Sequence, residues 1–402
     1  MTLQATQEHP LEEETRPWSG VMTAGLALFA MFFGSGNLIF PLLVGKAAGE
    51  QTWYAILGLG VSAVIVPFIG LAAMVMFDGD CKRFFGRLGK IPGILVFMLI
   101  QLIIGPFGVI PRLITLMHAI SKPYLFGISL PLFSLLIASV IFLLSFRRQN
   151  LIQMIGSILT PIKLLSIGAL IVIGLYATST AINPSVQSPW VSFKDGILGG
   201  YNTMDLLGAL VFATIVLPQF LKGTEMKQTE EKQSLVLKKM LFSSIIAAGL
   251  LLAAYIGLAL IASQHAWSLD PSYKPEEILG AMAVKILGPV GGAIAAIAVV
   301  MACLTTAIAL VSCFADYFQQ DICRGKINHM TSLILTLLGA MLFANLGFSF
   351  ILAFLSPILQ VVYPGLIVLS ILNMLHVYYG FKMVKTPVFA VCGIVMAILY
   401  LF

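Results

Sequence analysis

The sequence predicts an all-α polytopic membrane fold of about eleven transmembrane helices, and three observations carry that expectation. Apolar residues make up 59% of the 402 positions and charged ones only 10%, with a mean hydropathy of +1.01. No soluble domain of this size sustains that balance. Apolar runs near the roughly 20 residues needed to cross a hydrocarbon core recur along the whole chain. The loops between them alternate in Lys and Arg content, which is how membrane topology is written in a sequence.

Taken in order, residues 1–17 are polar and acidic (Glu8, Glu12, Glu13, Glu14). They lack the basic start and apolar run of a signal peptide and are expected to be a disordered cytoplasmic head. Residues 18–402 are then one integral membrane domain. Spans are expected near 18–46, 52–77, 91–117, 128–145, 151–176, 197–220, 240–263, 289–314, 331–346, 348–374 and 386–402. Residues 278–314 are too long for one crossing and too short for two. Gly288-Pro289 with Gly291-Gly292 divides them, so 278–287 reads as a surface helix before the eighth span. Asn345-Leu346-Gly347 leaves room only for a tight hairpin.

With the amino terminus inside, sixteen Lys and Arg fall in cytoplasmic segments and five in outer ones, while Arg112 and Lys163 lie within spans. The net charge of +6 is therefore concentrated on the inner face, and the carboxyl terminus is expected outside. The five cysteines, Cys81, Cys303, Cys313, Cys323 and Cys392, show neither metal-ligand nor disulfide spacing. Three of them sit in spans as small apolar fillers.

Two spans are interrupted by glycine: Gly34-Ser35-Gly36-Asn37 in the first, and Gly199-Gly200-Tyr201-Asn202-Thr203 near the start of the sixth. A helix in lipid satisfies its own backbone, so an unwound stretch survives only where it is buried or lines a polar cavity. One such break in each half points to the solute site of a secondary carrier. Spans one to five (about 18–176) and six to ten (about 197–374) then form two repeats. An odd number of spans per repeat inverts the second, and the helix near 386–402 lies outside the pair.

In the first break, the N–H groups of Ser35, Gly36 and Asn37 begin a half-helix whose positive end suits a carboxylate, and the carbonyls just upstream suit a cation. Close helix packing through small residues is the alternative for Gly34 and Gly36. In the second break, freed carbonyls suit an ammonium group. Asp205 is the only acid inside the expected spans and reads either as a ligand or as the N-cap of the following half-helix, accepting from Leu207 or Gly208. Ala302, Thr305 and Thr306 in span eight share one helical face and offer hard oxygen donors, although threonine also bonds routinely to its own preceding turn. Lys163 in span five either titrates and drives the cycle with protons or is an interfacial lysine on a tilted helix. Arg112 is expected toward the outer part of span three, as a gate partner or an anchor.

Three motifs carry a resemblance: Met31-Phe32-Phe33-Gly34-Ser35-Gly36-Asn37-Leu38-Ile39-Phe40-Pro41, Ile104-Gly105-Pro106-Phe107-Gly108-Val109-Ile110-Pro111-Arg112, and Gly200-Tyr201-Asn202-Thr203-Met204-Asp205. Together they resemble the branched-chain amino acid:cation symporter (LIVCS) family, and the likeness extends along nearly the whole chain. That family moves leucine, isoleucine and valine with Na⁺ or H⁺ into bacteria and is grouped in the amino acid–polyamine–organocation superfamily. The resemblance implies the LeuT-type fold of two inverted five-helix repeats, in the bacterial cytoplasmic (inner) membrane. Family members usually carry a twelfth span, whereas eleven are expected here.

The resemblance also implies a site. The substrate carboxylate would meet the N–H groups of Ser35 and Gly36, and its amino group the carbonyls of Tyr201, Asn202 and Thr203. Sodium would meet the carbonyls of Ala30 and Phe33 together with Ala302, Thr305 and Thr306. The expected activity is cation-coupled import by alternating access, with a proton-coupled carrier of another neutral solute as the rival on the same fold. Na⁺ is the expected coupling ion, with H⁺ as the alternative, and no cofactor is expected. The partners are a small amino acid and the lipid bilayer, with no nucleic acid; oligomeric state stays open. A nucleotide-binding loop is absent from the sequence, which argues against ATP-driven transport. A membrane enzyme would need clustered acids and histidines, and a channel a continuous polar lining; the sequence shows neither.

Overall fold

The computed structural model describes residues 17–125, 127–146, 160–177, 187–221 and 230–401. Residues 1–16 of the expected head, residues 178–186 of the loop at 177–196 and the start of the fifth span lie outside the described residues; Pro17, expected in the head, begins the first helix.

Helices account for nearly all of what is described. The first span is α1 (Pro17–Phe32) and α2 (Ser35–Ala48), separated at Phe33-Gly34. The second is α3 (Thr52–Gly60) and α4 (Val66–Val75), joined by a π-helical turn at Val61–Ile65. A short helix, α5 (Cys81–Gly86), follows; the Asp80 carboxylate caps it by accepting from the backbone N–H groups of Lys82 and Arg83 at 2.8 and 3.0 Å. Its Lys82 meets Asp321 at 2.8 Å, a hydrogen-bonded partner that raises the pKa of this exposed lysine.

The third span is broken as well. It consists of α6 (Lys90–Ile104) and α7 (Val109–Ser121), parted by the turn Gly105–Gly108. A single helix is expected over 91–117, but Pro106 removes a donor from the ladder, and Phe107 N–H bonds back to Leu102 O at 3.1 Å. Among the described residues of the first half, α8 (Leu130–Phe146) and α9 (Thr160–Tyr176) follow.

The sixth span differs from expectation in both its start and its break. It starts at Pro189, not near 197, with Ser188 as N-cap, and runs as α10 (Pro189–Thr203) and α11 (Asp205–Leu221). The residues expected to be unwound, Gly199 to Thr203, are helical. The interruption is Met204 alone, in the left-handed region at φ 65°. Packing is the physical reason, because the glycines here provide closeness. A Cβ at Gly200 would fall 1.9 Å from Ser62 Oγ, and one at Gly196 would fall 2.1 Å from Ala55 O. Gly58 on α3 is the reciprocal case, 2.1 Å from Phe193 O. The two helices therefore lie backbone against backbone, the small-residue mode of membrane packing. Gly196→Val is expected to lower the melting temperature of the detergent-solubilised protein, since overpacking costs about 1–3 kcal/mol. An unchanged unfolding curve would refute this contact.

The second half continues with α12 (Glu230–His265), α13 (Ile278–Tyr317), α14 (His329–Ala344), α15 (Phe348–Tyr379) and α16 (Lys385–Leu401). Gly288 (φ 71°, ψ −179°) interrupts α13 and sets 278–287 apart from the remainder, where the sequence places a boundary. Gly347 (φ 88°) makes the hairpin between α14 and α15, a conformation that glycine adopts without steric cost.

Six helical stretches among the described residues are long and apolar enough to cross a membrane. Ile94, Leu143, Leu165, Val290 and Leu342 point outward, as lipid-facing side chains do. Inside, α12 lies along α1 and α2, α10 along α3, α11 along α4, and α13 along α7. The three interrupted spans are thereby gathered at the centre of the bundle.

Candidate solute and cation site

The first break is short. Phe33 N–H still bonds Phe29 O at 2.8 Å, and Leu38 N–H reaches Gly34 O at 3.3 Å. Gly34, extended at φ −111° and ψ −153°, turns the chain between the two helices. Asn37 Oδ1 accepts the Gly34 N–H at 3.1 Å, fixing the turn. The first-turn N–H groups of α2, from Ser35, Gly36 and Asn37, have no carbonyl of their own helix within reach.

At the sixth-span break, a non-glycine residue holds a left-handed conformation that costs about 1–3 kcal/mol and persists only where its surroundings over-determine it. Those surroundings are specific. Tyr363 on α15 accepts the Leu206 N–H at 3.2 Å and so caps α11. Asp205, one of whose expected roles is that cap, turns elsewhere. Its Oδ2 accepts from Asn37 Nδ2 at 2.6 Å and from the Tyr255 hydroxyl at 2.9 Å. Asn37 also donates to the Tyr255 hydroxyl. Asn37 is thus bonded at once to the first break and to Asp205 beside the sixth, with Tyr255 of α12 closing the triangle. All three are buried.

Ser35, Gly36, Asn37, Thr203 and Asp205 line one cavity of about 20 Å³, together with Arg112 and Thr306. That volume matches the size of one water molecule and is too small for an amino acid. Apolar walls come from Met31, Ile104, Val109, Phe212 and Leu310. The two breaks touch: a Cβ at Gly36 would lie 2.8 Å from Thr203 Cα.

Two of the carbonyls expected to face an ammonium group are already engaged. Tyr201 O accepts from Met204 N–H at 3.2 Å, and Asn202 O accepts from Arg112 Nη1 at 2.8 Å. The Asn202 amide donates to Leu198 O at 2.9 Å. Tyr201 stacks on Tyr363, ring centroids 4.7 Å apart. Thr203 is the member of that trio on the cavity wall.

The expected cation donors are brought together. Thr306 Oγ1 lies 3.4 Å from Ala30 O, 3.5 Å from Phe33 O and 3.4 Å from Ala302 O. Thr305 Oγ1 donates to Ala302 O at 2.7 Å, back along its own helix. The group is buried, neutral and made only of oxygen donors, the chemistry a small hard cation selects. Lys163 falls on α9, and its side chain lies outside the described residues.

Arg112 is the largest departure from the sequence reading. It is no exposed interfacial anchor; it is 1% exposed, in the cavity it shares with Asp205 and the two breaks. Phe40 and Phe348 flank its guanidinium at 5.0 and 5.5 Å from their ring centroids. None of the salt bridges found among the described residues involves it. Tyr255 and Tyr363 are the other site residues that sequence reasoning missed. A tyrosine in an apolar helix reads as filler until the fold supplies the partner of its hydroxyl.

The chain is similar to known proteins along nearly its whole length. The family model described as branched-chain amino acid transport protein matches residues 18–401. The branched-chain amino acid permease BraB of Bacillus subtilis is 30% identical over 89% of this chain and 80% of its own length. The permease BrnQ of the same organism is 32% identical over 89% and 81%; BrnQ of Escherichia coli is 28% identical over 92% and 84%. Among solved structures, inward-facing Mhp1 superposes with a TM-score of 0.62 at 15% identity, covering 89% of this chain and 77% of Mhp1. MhsT, solved with L-phenylalanine, gives a TM-score of 0.60 at 15% identity over 92% and 98%. These neighbours establish the LeuT-type fold, and the sequence match establishes the lineage: the chain belongs to the branched-chain amino acid transport protein family.

Proposed function

We propose that the protein imports leucine, isoleucine and valine together with a cation, sodium in the first instance, by alternating access across a bacterial cytoplasmic membrane. The observation that carries the reading is the meeting of the two broken spans at one buried cavity. There the first-turn N–H groups of α2 stand ready for a carboxylate, and the Ala30 and Phe33 carbonyls face Thr306. The apolar walls suit an aliphatic side chain. One methylene is worth only about 1–3 kcal/mol in such a pocket, so the three branched-chain amino acids are poorly distinguished.

Sodium binding at Ala30, Phe33, Ala302, Thr305 and Thr306 ties α1 to α13 and thereby holds the first break in shape for the amino acid. That coupling is reciprocal: substrate favours the ion as much as the ion favours substrate. The Lys and Arg bias places the amino terminus in the cytoplasm and the carboxyl terminus outside.

The test is uptake of labelled leucine into proteoliposomes with sodium and pH gradients imposed separately. Sodium-driven accumulation supports the reading. Accumulation under the pH gradient alone transfers the coupling role to a proton, and none under either gradient removes the proposal. In the same assay Thr306→Ala is expected to raise the sodium concentration for half-maximal uptake by roughly tenfold, the equivalent of about 1.4 kcal/mol. The leucine KM at saturating sodium is expected to move much less. Unaltered sodium dependence would place the ion elsewhere.

A further inference from the structure

Arg112 carries a positive charge into the centre of the membrane, and most of its donors go unused. Nη1 donates to Asn202 O at 2.8 Å. Nε and Nη2 are buried with no hydrogen-bond partner. An intramembrane arginine is costly, and it is retained where a pathway or an anionic ligand uses it. A guanidinium with its fork free is shaped for two parallel bonds to a carboxylate.

The surroundings specify where such a carboxylate belongs. Arg112 lines the same cavity as Ser35, Gly36 and Asp205. A Cβ built on Gly36 would sit 3.2 Å from Nη2, so the free edge of the guanidinium faces the start of α2. That 14-residue half-helix presents its first-turn N–H groups there. Ser35 Oγ is likewise buried without a partner. Two independent sets of unpaired donors therefore converge, and a single anionic group satisfies both. The Phe40 and Phe348 rings hold the guanidinium in place. They limit the conformational freedom lost on binding.

We infer that Arg112 binds the substrate carboxylate, its Nε and Nη2 taking one edge of the group while the N–H groups of Ser35 and Gly36 take the other. The inference rests on the amino-acid carrier reading above and adds a specificity rule to it. Arg112 and Asp205 give the cavity one charge of each sign, and a zwitterion leaves that balance intact. An amine without a carboxylate adds a positive end to a cavity whose charges already balance, beside an arginine that forms no direct salt bridge among the described residues. The site should therefore reject leucinol and leucinamide while accepting leucine.

Ligand-induced thermal stabilisation of the purified protein tests this with leucine, leucinol and leucinamide as probes. The wild type is expected to prefer leucine strongly. Arg112→Gln is expected to weaken leucine on the order of 100-fold, while leucinol, no longer opposed by the guanidinium charge, binds no more weakly than to the wild type, so that discrimination collapses. Arg112→Lys keeps the charge without the planar fork and is expected to recover part of the preference. Equal loss of leucine and leucinol in Arg112→Gln would make the arginine structural and overturn the inference, as would leucine binding at wild-type strength. A density map of the wild-type protein with leucine decides the matter even if both variants fail to fold. A carboxylate against Nε and Nη2 supports the assignment, and one turned away from them ends it. Failure of the wild type to bind leucine at all would instead overturn the carrier reading itself.

Discussion

Gly36→Val is expected to abolish leucine uptake while the protein still reaches the membrane. The reason is the contact between the two breaks. A Cβ at this position would lie 2.8 Å from Thr203 Cα and 2.9 Å from Thr203 O, closer than such atoms approach one another. Neither neighbour is a flexible side-chain tip; both are backbone on a buried turn. The valine methyls would also press on Arg112 Nη2, 3.2 Å from the Cβ. Relief requires the first and sixth spans to move apart, which opens the triangle of Asn37, Asp205 and Tyr255. Overpacking of this kind costs about 1–3 kcal/mol in stability. Its expected effect on transport is larger, because in the proposed binding mode the same peptide groups hold the amino acid. Gly36→Ala carries the same Cβ without the branches and is expected to retain a fraction of the activity. Gly34→Ala is the milder control: its Cβ meets Thr306 Cγ2 at 3.2 Å, a side-chain methyl at a longer distance than the backbone contacts of Gly36. Normal uptake by Gly36→Val would mean that the breaks do not meet when the carrier works.

The helical membrane architecture was legible in the sequence because a bilayer imposes a length on every span. The first break was legible too, since two glycines around Ser35 leave no good reason for a continuous helix. The sixth was located only approximately. Gly199 and Gly200 suggest unwinding, yet they serve close packing against α2 and the π-helical turn after α3. The actual break is a methionine in a left-handed conformation. Nothing in local propensity marks Met204, because its strain is supported by tertiary partners such as Tyr363. The third break shows the converse. Gly105-Pro106-Phe107-Gly108 was visible, but a glycine–proline pair inside an apolar run is compatible with a kinked continuous helix. Arg112 was misplaced for a related reason. An arginine after a proline near the end of a span reads as an interfacial anchor, and only the broken third span brings it to the centre.

The polar centre is economical in its partners. Asn37 and Asp205 lie 168 positions apart in sequence, one on each side of the proposed repeat boundary, and Tyr255 joins them from a third span. Buried polar groups in a membrane are strongly held when every member is satisfied and costly when one is not. A network of this kind gives the two breaks a defined relative position without a continuous helix through either. It also means that the residues most sensitive to substitution need not touch substrate.

Asp205→Ala is accordingly expected to abolish uptake and to destabilise the protein together. The Tyr255 hydroxyl would lose its acceptor, and Asn37 would lose one of the two acceptors of its amide. An orphaned buried hydroxyl costs about 1–3 kcal/mol, before any contribution from the space left by the carboxylate. The melting temperature of the solubilised protein should fall measurably. Asp205→Asn separates the two roles of the side chain. Its single carbonyl oxygen has two lone pairs and can still accept from both Asn37 and Tyr255, so the fold should persist with a small loss. The negative charge is gone, however, and Arg112 is left with no acid in the cavity it shares with Asp205. Uptake by Asp205→Asn is therefore expected to be strongly reduced in a protein that melts close to wild type. Wild-type transport by Asp205→Asn would reduce the carboxylate to a hydrogen-bond acceptor. Wild-type transport by Asp205→Ala would show that the bond triangle does not hold the two breaks together.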